Sequence, residues 1–313
     1  MNQLGKVVKS TGSEITVKFD SGERRICKVR GSFRIKSIKS TNPVAVGDRV
    51  EVLINENDPI GIIVDIHERK NYIVRKSINL SHQLHIIAVN IDTAFIVTTL
   101  ADPFTTPGFI DRFLVTCEAY HIQAIIVVNK CDQFNEKAIK ELEKRRKIYT
   151  DVGYEILVTS ATTGEGLAEL KALMRDKTSL FSGHSGVGKS SLINALYPNF
   201  NLRVGEISSK HNKGTHTTTF AEMLELDENT YIIDSPGIKE LGLFNMQKEE
   251  IGHYFPEINK VSEGCKFSNC MHVNEPGCAV MKATEEGSIA EERYQSYLNM
   301  INSDEIVSKP YDK

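Results

Sequence analysis

The stretch FSGHSGVGKSSLINAL, residues 181–196, contains GHSGVGKS, which matches the phosphate-loop pattern G-x-x-x-x-G-K-S. The apolar run TSLFS (178–182) precedes it, and a helix-like segment follows it, as the pattern requires. In such a loop the glycines let backbone N–H groups converge on phosphates, the lysine reaches the β and γ oxygens, and the next hydroxyl coordinates Mg²⁺. The candidates for these contacts are Gly183, His184, Ser185, Gly186, Val187, Gly188, Lys189, Ser190 and Ser191, with Ser190 on magnesium.

Two later segments extend the phosphate end of this predicted site. DSPG (234–237) closes the apolar run TYIID, where Asp234 could hold Mg²⁺ through water and Gly237 could offer its N–H to a γ-phosphate. Between them lies KGTHTTTF (213–220), whose hydroxyls could complete the magnesium shell. DSPG alone would also fit a plain turn, but its position after a phosphate loop favours a nucleotide role.

The candidate base-recognition segments lie upstream of the phosphate loop. NKCD (129–132) follows the strand-like AIIVV, and TSA (159–161) closes YEILV. The Asp132 carboxylate can accept both N1–H and N2–H₂ of guanine, whereas adenine would leave it unpaired. A backbone N–H of TSA can reach the guanine carbonyl. NKCD alone would be a weak signal, but two such segments at successive strand ends indicate guanine binding. The predicted base-side contacts are Asn129, Lys130, Asp132, Ser160 and Ala161.

The order of these segments is rotated relative to an ordinary GTPase. Base recognition comes first, and the phosphate loop, the threonine-rich loop and DSPG follow. Circular permutation is tolerated where chain termini lie close together. As a consequence, the segments that respond to the γ-phosphate lead directly into the C-terminal part of the chain, which could receive their movement.

Three parts of the chain differ in pattern. Residues 1–66 contain five short alternating runs separated by turns, which predicts a small β-barrel of the OB type, with an SH3-like barrel as the alternative. From about residue 86 compact apolar strands alternate with helices, which predicts an α/β domain with a mostly parallel sheet. The last part has a Cys/His cluster and a helical tail. We therefore expect domains at 1–70, 71–245 and 246–313.

Charge is distributed unevenly along the chain. Residues 1–40 hold ten Lys/Arg against three Asp/Glu, a net charge of +7, while the whole chain carries −3. A basic end on an acidic body favours contact with nucleic acid, although a solvated strand face would give the same count. The N-terminus lacks an apolar signal region, and the apolar runs are too short to cross a bilayer. We expect a cytoplasmic protein without membrane contact.

The cysteines of the C-terminal part are spaced for a metal ion. GCKFSNCMHVNEPGC gives the spacing C-x4-C-x-H-x5-C. Three thiolates and one imidazole form a closed tetrahedral zinc site, which is structural because it leaves no open position. The predicted zinc ligands are Cys265, Cys270, His272 and Cys278.

Taken together, NKCD, TSATTGEGL, GHSGVGKSSLIN, KGTHTTT, DSPGI and the EPGC-containing cysteine pattern resemble the ribosome small subunit-dependent GTPase A family, RsgA. The resemblance covers nearly the whole chain. It implies an OB barrel, a circularly permuted GTPase domain and a zinc domain. It also implies a monomeric factor of late 30S maturation that contacts 16S rRNA near the decoding region. GTP hydrolysis to GDP, stimulated by the 30S subunit, would release the factor.

The resemblance also suggests catalytic residues. Many GTPases place a water-orienting Gln after the DxxG glycine, where this chain has Ile238. The family's proposed replacement, a histidine of the threonine-rich loop, maps to His216. The magnesium-sensing threonine maps to Thr218, with Thr217 as the alternative. The predicted catalytic residues are therefore His216, Lys189 and Thr218.

Two other functions share parts of the pattern. A phosphate-loop ATPase or small-molecule kinase would use the same loop but would have no use for Asp132. An RNA-binding module with a structural nucleotide site would show no turnover that responds to RNA. Nucleotide preference and RNA-dependent hydrolysis distinguish these alternatives from the GTPase.

Overall fold

Five strands at the N-terminus close into a barrel in the computed structural model, which describes residues 2–11, 14–30, 43–55, 58–76, 84–200, 221–234 and 246–303. The strands pair in the order β1-β2-β3-β5-β4, and β1 also pairs with β4, which closes the barrel. The pair β3–β5 is parallel and the other pairs are antiparallel. This is the strand order of an OB barrel, so it decides against the SH3-like alternative. The strands are β1 (Asn2–Ser10), β2 (Ile15–Phe19), β3 (Arg24–Val29), β4 (Arg49–Leu53) and β5 (Gly61–Ile66).

A second sheet forms the centre of the molecule. Its strands run in the order β10-β9-β8-β11-β13-β12, and all neighbours are parallel except β12 and β13. Every residue of the central strand β8 is buried, because helices cover both faces of the sheet. The strands are β8 (Thr93–Thr98), β9 (Gln123–Val128), β10 (Glu155–Val158), β11 (Thr178–Ser182), β12 (Glu222–Asp227) and β13 (Thr230–Asp234).

Helices connect the parallel strands and start where the sequence supplies caps. Thr106 caps α1 by accepting from the Phe109 N–H, and Pro107 occupies the first helical position. Asn135 caps α2 in the same way through the Ala138 N–H. Because these strands are parallel, their carboxyl ends meet at one edge, which receives NKCD, TSA and the phosphate loop. The helices are α1 (Pro107–Ala119), α2 (Glu136–Asp151), α3 (Leu167–Met174) and α4 (Lys189–Leu196).

Three strands were not predicted from the sequence. The strands β6 (Tyr72–Lys76) and β7 (Leu84–Val89) form a two-stranded antiparallel sheet between the barrel and the central sheet. The strand β12 also went unpredicted, because it alternates acidic and apolar residues and has no apolar run. It pairs with β1 of the barrel through Lys9 and Glu222, so the two sheets are continuous.

The C-terminal part packs as a small helical unit against α1. Its core includes Phe255, Ile258 and Tyr297, and Val115 of α1 joins the same cluster. In the described part of the chain, none of the helices combines the length and apolar character needed to cross a membrane. The helices are α5 (Lys248–Ile251), α6 (Pro256–Ser262), α7 (Ala279–Glu285) and α8 (Glu291–Ile301).

Candidate functional sites

The phosphate loop leaves β11 at Ser182 and enters α4 at Lys189. The lysine side chain folds back over the loop, and its Nζ donates to the carbonyl oxygens of Gly183 (2.6 Å) and His184 (2.9 Å). Lys189 and Ser190 are both buried. The ammonium group therefore sits inside the curve of the loop, at the start of a helix whose N-terminal N–H groups favour an anion.

Two glycines of this loop are required by close contacts as well as by backbone conformation. Gly183 has φ 139° and Gly188 has φ 95°, values that side chains disfavour. A Cβ atom on Gly183 would lie 2.2 Å from the Val97 carbonyl oxygen, and one on Gly188 would lie 2.4 Å from Nδ2 of Asn129. The loop is thus packed directly against β8 and against the NKCD segment.

Asn129 joins the predicted base site to the predicted phosphate site. Its Nδ2 donates to the Val187 carbonyl oxygen (2.8 Å), and its Oδ1 accepts from the Thr159 hydroxyl (3.2 Å). Its backbone N–H donates to the Thr98 carbonyl (2.9 Å). One buried amide therefore links segments that lie 58 residues apart in the sequence. The sequence identified Asn129 as a nucleotide-site residue, and the structure gives it contacts with the protein's own loops.

The carboxylate of Asp132 is oriented by Ser160. The Ser160 hydroxyl donates to Oδ1 of Asp132 and accepts from the N–H groups of Thr162 (3.2 Å) and Thr163 (3.1 Å). Asp132 itself is exposed at the end of β9. This hydrogen-bonding role of the Ser160 side chain was not predicted. The sequence signal for it was a hydroxyl residue just after β10, the strand beside β9.

Hydrogen bonds within the protein indicate which backbone N–H of the TSA segment (159–161) could donate to a guanine carbonyl. The Ser160 N–H donates to the Glu165 carbonyl (3.0 Å). Within the part of the chain that the structure describes, no hydrogen bond uses the N–H of Ala161. The amide of Ala161 is therefore the one that remains to meet a base.

The loop after β8 also borders the site, which the sequence analysis missed. Lys130 adopts a left-handed conformation, and its Nζ donates to the Asp102 carbonyl (2.7 Å). On the other side, a Cβ at Gly186 would lie 3.5 Å from Cδ of Pro103. The sequence signal was that this loop follows β8, another apolar strand of a parallel sheet, so that it reaches the same edge.

His184 contacts α1 as well as the phosphate loop. Its ring stacks on Phe109 with centroids 3.9 Å apart. Partial burial and the nearby Lys189 ammonium both lower the pKa of His184. The ring is therefore neutral at pH 7 and serves as a flat packing partner at the start of α1.

Several predicted residues lie outside the described part of the chain. These include the catalytic candidate His216 and the magnesium candidates Thr217 and Thr218, together with Gly237. Asp234 is the last residue of β13, so its backbone lies at the carboxyl edge of the sheet. The expectations for these residues stay predictions.

The four predicted zinc ligands converge in the C-terminal unit. The ligand atoms of Cys265, Cys270, His272 and Cys278 all lie within 4.8 Å of one another. The His272 Nδ1 lies 3.6 Å from Sγ of Cys265 and 3.5 Å from Sγ of Cys278, and these two sulfurs are 4.0 Å apart. A tetrahedral Zn²⁺ with bonds of about 2.3 Å to sulfur and about 2.0 Å to nitrogen places its ligands about 3.5–3.8 Å apart. The cluster therefore fits zinc.

The loop that carries these ligands is held by the protein itself. Glu275 accepts from the N–H groups of Met271 (2.7 Å), Val273 (2.8 Å) and Asn274 (3.0 Å). Burial opposes ionisation of Glu275, but the backbone donors outweigh it and lower its pKa to about 2. From α8, the Tyr294 hydroxyl donates to the His272 carbonyl (2.6 Å). The ligand loop is thus ordered by contacts beyond the ligands.

Known proteins of one family match this chain over almost its whole length. The family profile described as RsgA GTPase matches residues 66–244, and the RsgA N-terminal domain matches residues 4–63. The Small ribosomal subunit biogenesis GTPase RsgA 2 of Bacteroides thetaiotaomicron is 52% identical over 301 residues, covering 96% of this chain and 97% of that protein. Its counterpart RsgA in Flavobacterium psychrophilum is 52% identical over 303 residues, covering 96% and 93%.

Two solved structures share the fold. YjeQ from Thermotoga maritima superposes with a TM-score of 0.81 at 36% identity, covering 99% of this chain and all of that one. YloQ, described as a circularly permuted GTPase, superposes with a TM-score of 0.73 at 30% identity, covering 96% and 94%. The rotated order of the nucleotide segments is therefore confirmed as a circular permutation. With its barrel, its permuted sheet and its guanine motifs, the chain belongs to the RsgA family of GTPases and is a GTP-hydrolysing enzyme.

Proposed function

We propose that this GTPase acts in the late maturation of the 30S ribosomal subunit, hydrolysing GTP to GDP and phosphate when it is bound to the subunit. Relatives that share about half of its residues are named for small ribosomal subunit biogenesis. The observation that carries the proposal from this chain is Asn129, which couples the base segment directly to the phosphate loop. Such a link is expected of a nucleotide site, and RNA-dependent turnover distinguishes an enzyme from an RNA-binding module whose nucleotide is structural.

The nucleotide contacts follow from the chemistry of the site residues. Asp132 accepts the two guanine donors, held for this by Ser160, and the Ala161 N–H donates to the guanine carbonyl. The loop amides and Lys189 bind the β and γ phosphates. Ser190 and Thr218 are the magnesium ligands, with Asp234 acting through water. Bound Mg²⁺ would neutralise charge that develops on the phosphate oxygens.

Water activation is the step for which the chain departs from many GTPases. Ile238 has no group that could orient the attacking water. Intrinsic turnover should therefore be slow, and another side chain must supply the contact. We assign this role to His216. His216→Ala should keep GTP binding and lose subunit-stimulated turnover, and undiminished stimulation in that variant would exclude the role.

The barrel is the proposed rRNA contact. Several of the cations counted in residues 1–40 are already paired with carboxylates, including Arg25 with Glu23 and Arg24 with Glu225. Lys28 and Arg30 are exposed on the barrel. The sequence adds Arg34, Lys36 and Lys39 in the connection between β3 and β4. Contact with the phosphates of 16S rRNA would therefore rest on fewer cations than the charge count suggests.

We propose three functional units and one metal ion for the chain. We divide the chain at 1–70, 71–245 and 246–313, since β5 ends at Ile66 and the C-terminal core starts with Met246. Zn²⁺ held by the cysteine–histidine cluster would be structural, because four protein ligands fill its tetrahedron. We expect a monomer that works on the subunit in the cytoplasm.

Sedimentation with purified 30S subunits tests the proposal directly. The protein should sediment with the subunits in the presence of Mg²⁺ and a non-hydrolysable GTP analogue. With GDP it should stay in the supernatant, because hydrolysis is proposed to release it. Association that is absent, or that ignores the nucleotide, would contradict the proposal.

A further inference from the structure

The hairpin formed by β12 and β13 connects the two segments predicted to sense the γ-phosphate. The threonine-rich loop (213–220) ends two residues before Glu222, the first residue of β12. Asp234, the first residue of DSPG, is the last of β13. Glu222 and Asp234 lie opposite each other across the hairpin. The two ends of the hairpin therefore lie side by side at the points where the chain meets these two segments.

The barrel binds this hairpin through side chains as well as through β1. Lys18 pairs with Glu225, and Arg24 Nη2 lies 2.8 Å from the other carboxylate oxygen of Glu225. Lys18 also donates to the Tyr231 hydroxyl (3.2 Å), and Lys6 Nζ lies 4.5 Å from the centroid of the Tyr231 ring. These five residues form what we name the barrel–hairpin clamp: Lys6, Lys18 and Arg24 of the barrel with Glu225 and Tyr231 of the hairpin.

The clamp contacts the hairpin at one cross-strand pair of residues. Glu225 and Tyr231 are directly opposite each other on β12 and β13. This pair lies three residues along each strand from the cross-strand pair of Glu222 and Asp234. Because the register of the two strands is fixed, these two residue pairs keep their relative positions within the hairpin.

The Lys18–Glu225 pair of the clamp is partly shielded from water. The Lys18 side chain is 15% exposed and that of Glu225 is 21% exposed. Burial opposes ionisation of Glu225, but its hydrogen bonds with Lys18 and Arg24 outweigh it and lower its pKa. Burial also lowers the pKa of Lys6, which lies against the Tyr231 ring. Arg24 is about half exposed and adds less.

We propose that the barrel–hairpin clamp carries the stimulus from RNA docking on the barrel to the hydrolysis site, and that Glu225 is its positioning residue. The inference rests on the proposed function, since it takes the 30S subunit as the stimulus. Docking of the barrel moves the hairpin through Glu225 and Tyr231. The hairpin then sets the threonine-rich loop and DSPG for hydrolysis. Glu225 does not touch the nucleotide, so it acts only through the hairpin.

Glu225→Gln tests this assignment because it removes the charge and keeps the shape. GDP affinity and unstimulated GTP turnover should stay within about twofold of wild type, because Glu225 lies outside the nucleotide site. Turnover at saturating 30S subunits should fall about tenfold, in the range of a typical coupling energy. Subunit affinity, measured by sedimentation with the GTP analogue, should stay within about threefold.

Two further variants serve as control and rescue. Arg49→Gln breaks the exposed Arg49–Asp20 pair, which lies within the barrel, and it should be stimulated like wild type. Glu225→Lys should lose stimulation like Glu225→Gln, and Lys18→Glu in the same chain should restore part of it. Thermal unfolding of each variant shows whether it is folded. If a single variant does not fold, the double variant with Glu225→Lys and Lys18→Glu still tests the inference.

The outcomes separate the inference from the proposed function. The clamp does not carry the stimulus to the hydrolysis site if Glu225→Gln is fully stimulated. The same conclusion follows if this variant loses subunit binding in step with its loss of stimulation. If wild-type turnover itself ignores the subunits, the proposed function fails. Stimulation of the wild type together with a specific loss in Glu225→Gln and recovery in the double variant would support both.

Discussion

In the proposed site, discrimination between guanine and adenine depends on one carboxylate. Asp132 is exposed, and the Ser160 hydroxyl orients it by hydrogen bonding to Oδ1. The segments NKCD (129–132) and TSA (159–161) could be identified from the sequence, because each follows an apolar strand. The Ser160 contact could not, since it depends on two strand ends lying side by side.

Asp132→Asn should weaken GTP and GDP binding by at least about a hundredfold, because the new amide N–H₂ faces the guanine donors. Affinity for xanthine nucleotides should rise, since xanthine carries a carbonyl oxygen where guanine carries N2–H₂. Equilibrium binding of fluorescent GDP and XDP analogues measures both effects. Unchanged GDP affinity would remove Asp132 from the base site.

At the scale of single elements, the phosphate loop depends on its fit against neighbouring strands. The motif itself was evident from the sequence, together with the strand and helix that flank it. The contact of Gly188 with Asn129 was not, because the two residues are far apart in the chain. The strand β12 was likewise not predicted, since it has no apolar run and its Glu225 pairs with Lys18 and Arg24 of the barrel.

Gly188→Ala should abolish measurable GDP binding, because its Cβ would lie 2.4 Å from Nδ2 of Asn129 in a backbone conformation of φ 95°. Gly153→Ala is the matched control, with φ 97° and nothing within 4 Å of the added Cβ. It should cost about 1 kcal/mol of stability and leave GDP affinity intact. Titration with a fluorescent GDP analogue compares the two variants. Equal binding by both would show that the Asn129 contact is unimportant.

At the scale of the whole molecule, a buried ion cluster joins the C-terminal unit to the central domain. Arg293 of α8 is 1% exposed and lies 2.7 Å from Asp111 of α1 and 2.7 Å from Glu257 of α6. Its guanidinium also faces the Phe255 ring, with 4.6 Å to the centroid. The tail EERYQSYLNMI reads as an amphipathic helix, and nothing in it marks Arg293 as buried, because its partner Asp111 lies 182 residues away.

Arg293→Met should lower the free energy of unfolding by about 3–5 kcal/mol, because it leaves two carboxylates buried without a cation. Lys282→Met is the control, since the Lys282–Glu286 pair is exposed and should contribute less than about 0.5 kcal/mol. Urea unfolding followed by circular dichroism compares them. A loss no larger than that of Lys282→Met would contradict the structural role of the cluster.

Metal removal should unfold the C-terminal unit selectively. Structural zinc contributes about 10 kcal/mol or more to small domains, and this unit has a small core of its own. Cys270→Ser should lose zinc and raise amide hydrogen exchange across 246–303, while Cys131→Ser should retain one zinc per chain. Elemental analysis measures the zinc content of each variant, and hydrogen exchange measures the opening of residues 246–303. Retention of zinc by Cys270→Ser would disprove the proposed ligand set.

The central claim is that this molecule is a guanine-specific enzyme switched on by the small ribosomal subunit. The most direct test is multiple-turnover hydrolysis of GTP by the purified protein, alone and with purified 30S subunits, with ATP in parallel. We predict slow GTP hydrolysis that rises by orders of magnitude with the subunits, and no hydrolysis of ATP. GTP turnover that ignores the subunits, or equal turnover of ATP, would contradict the account.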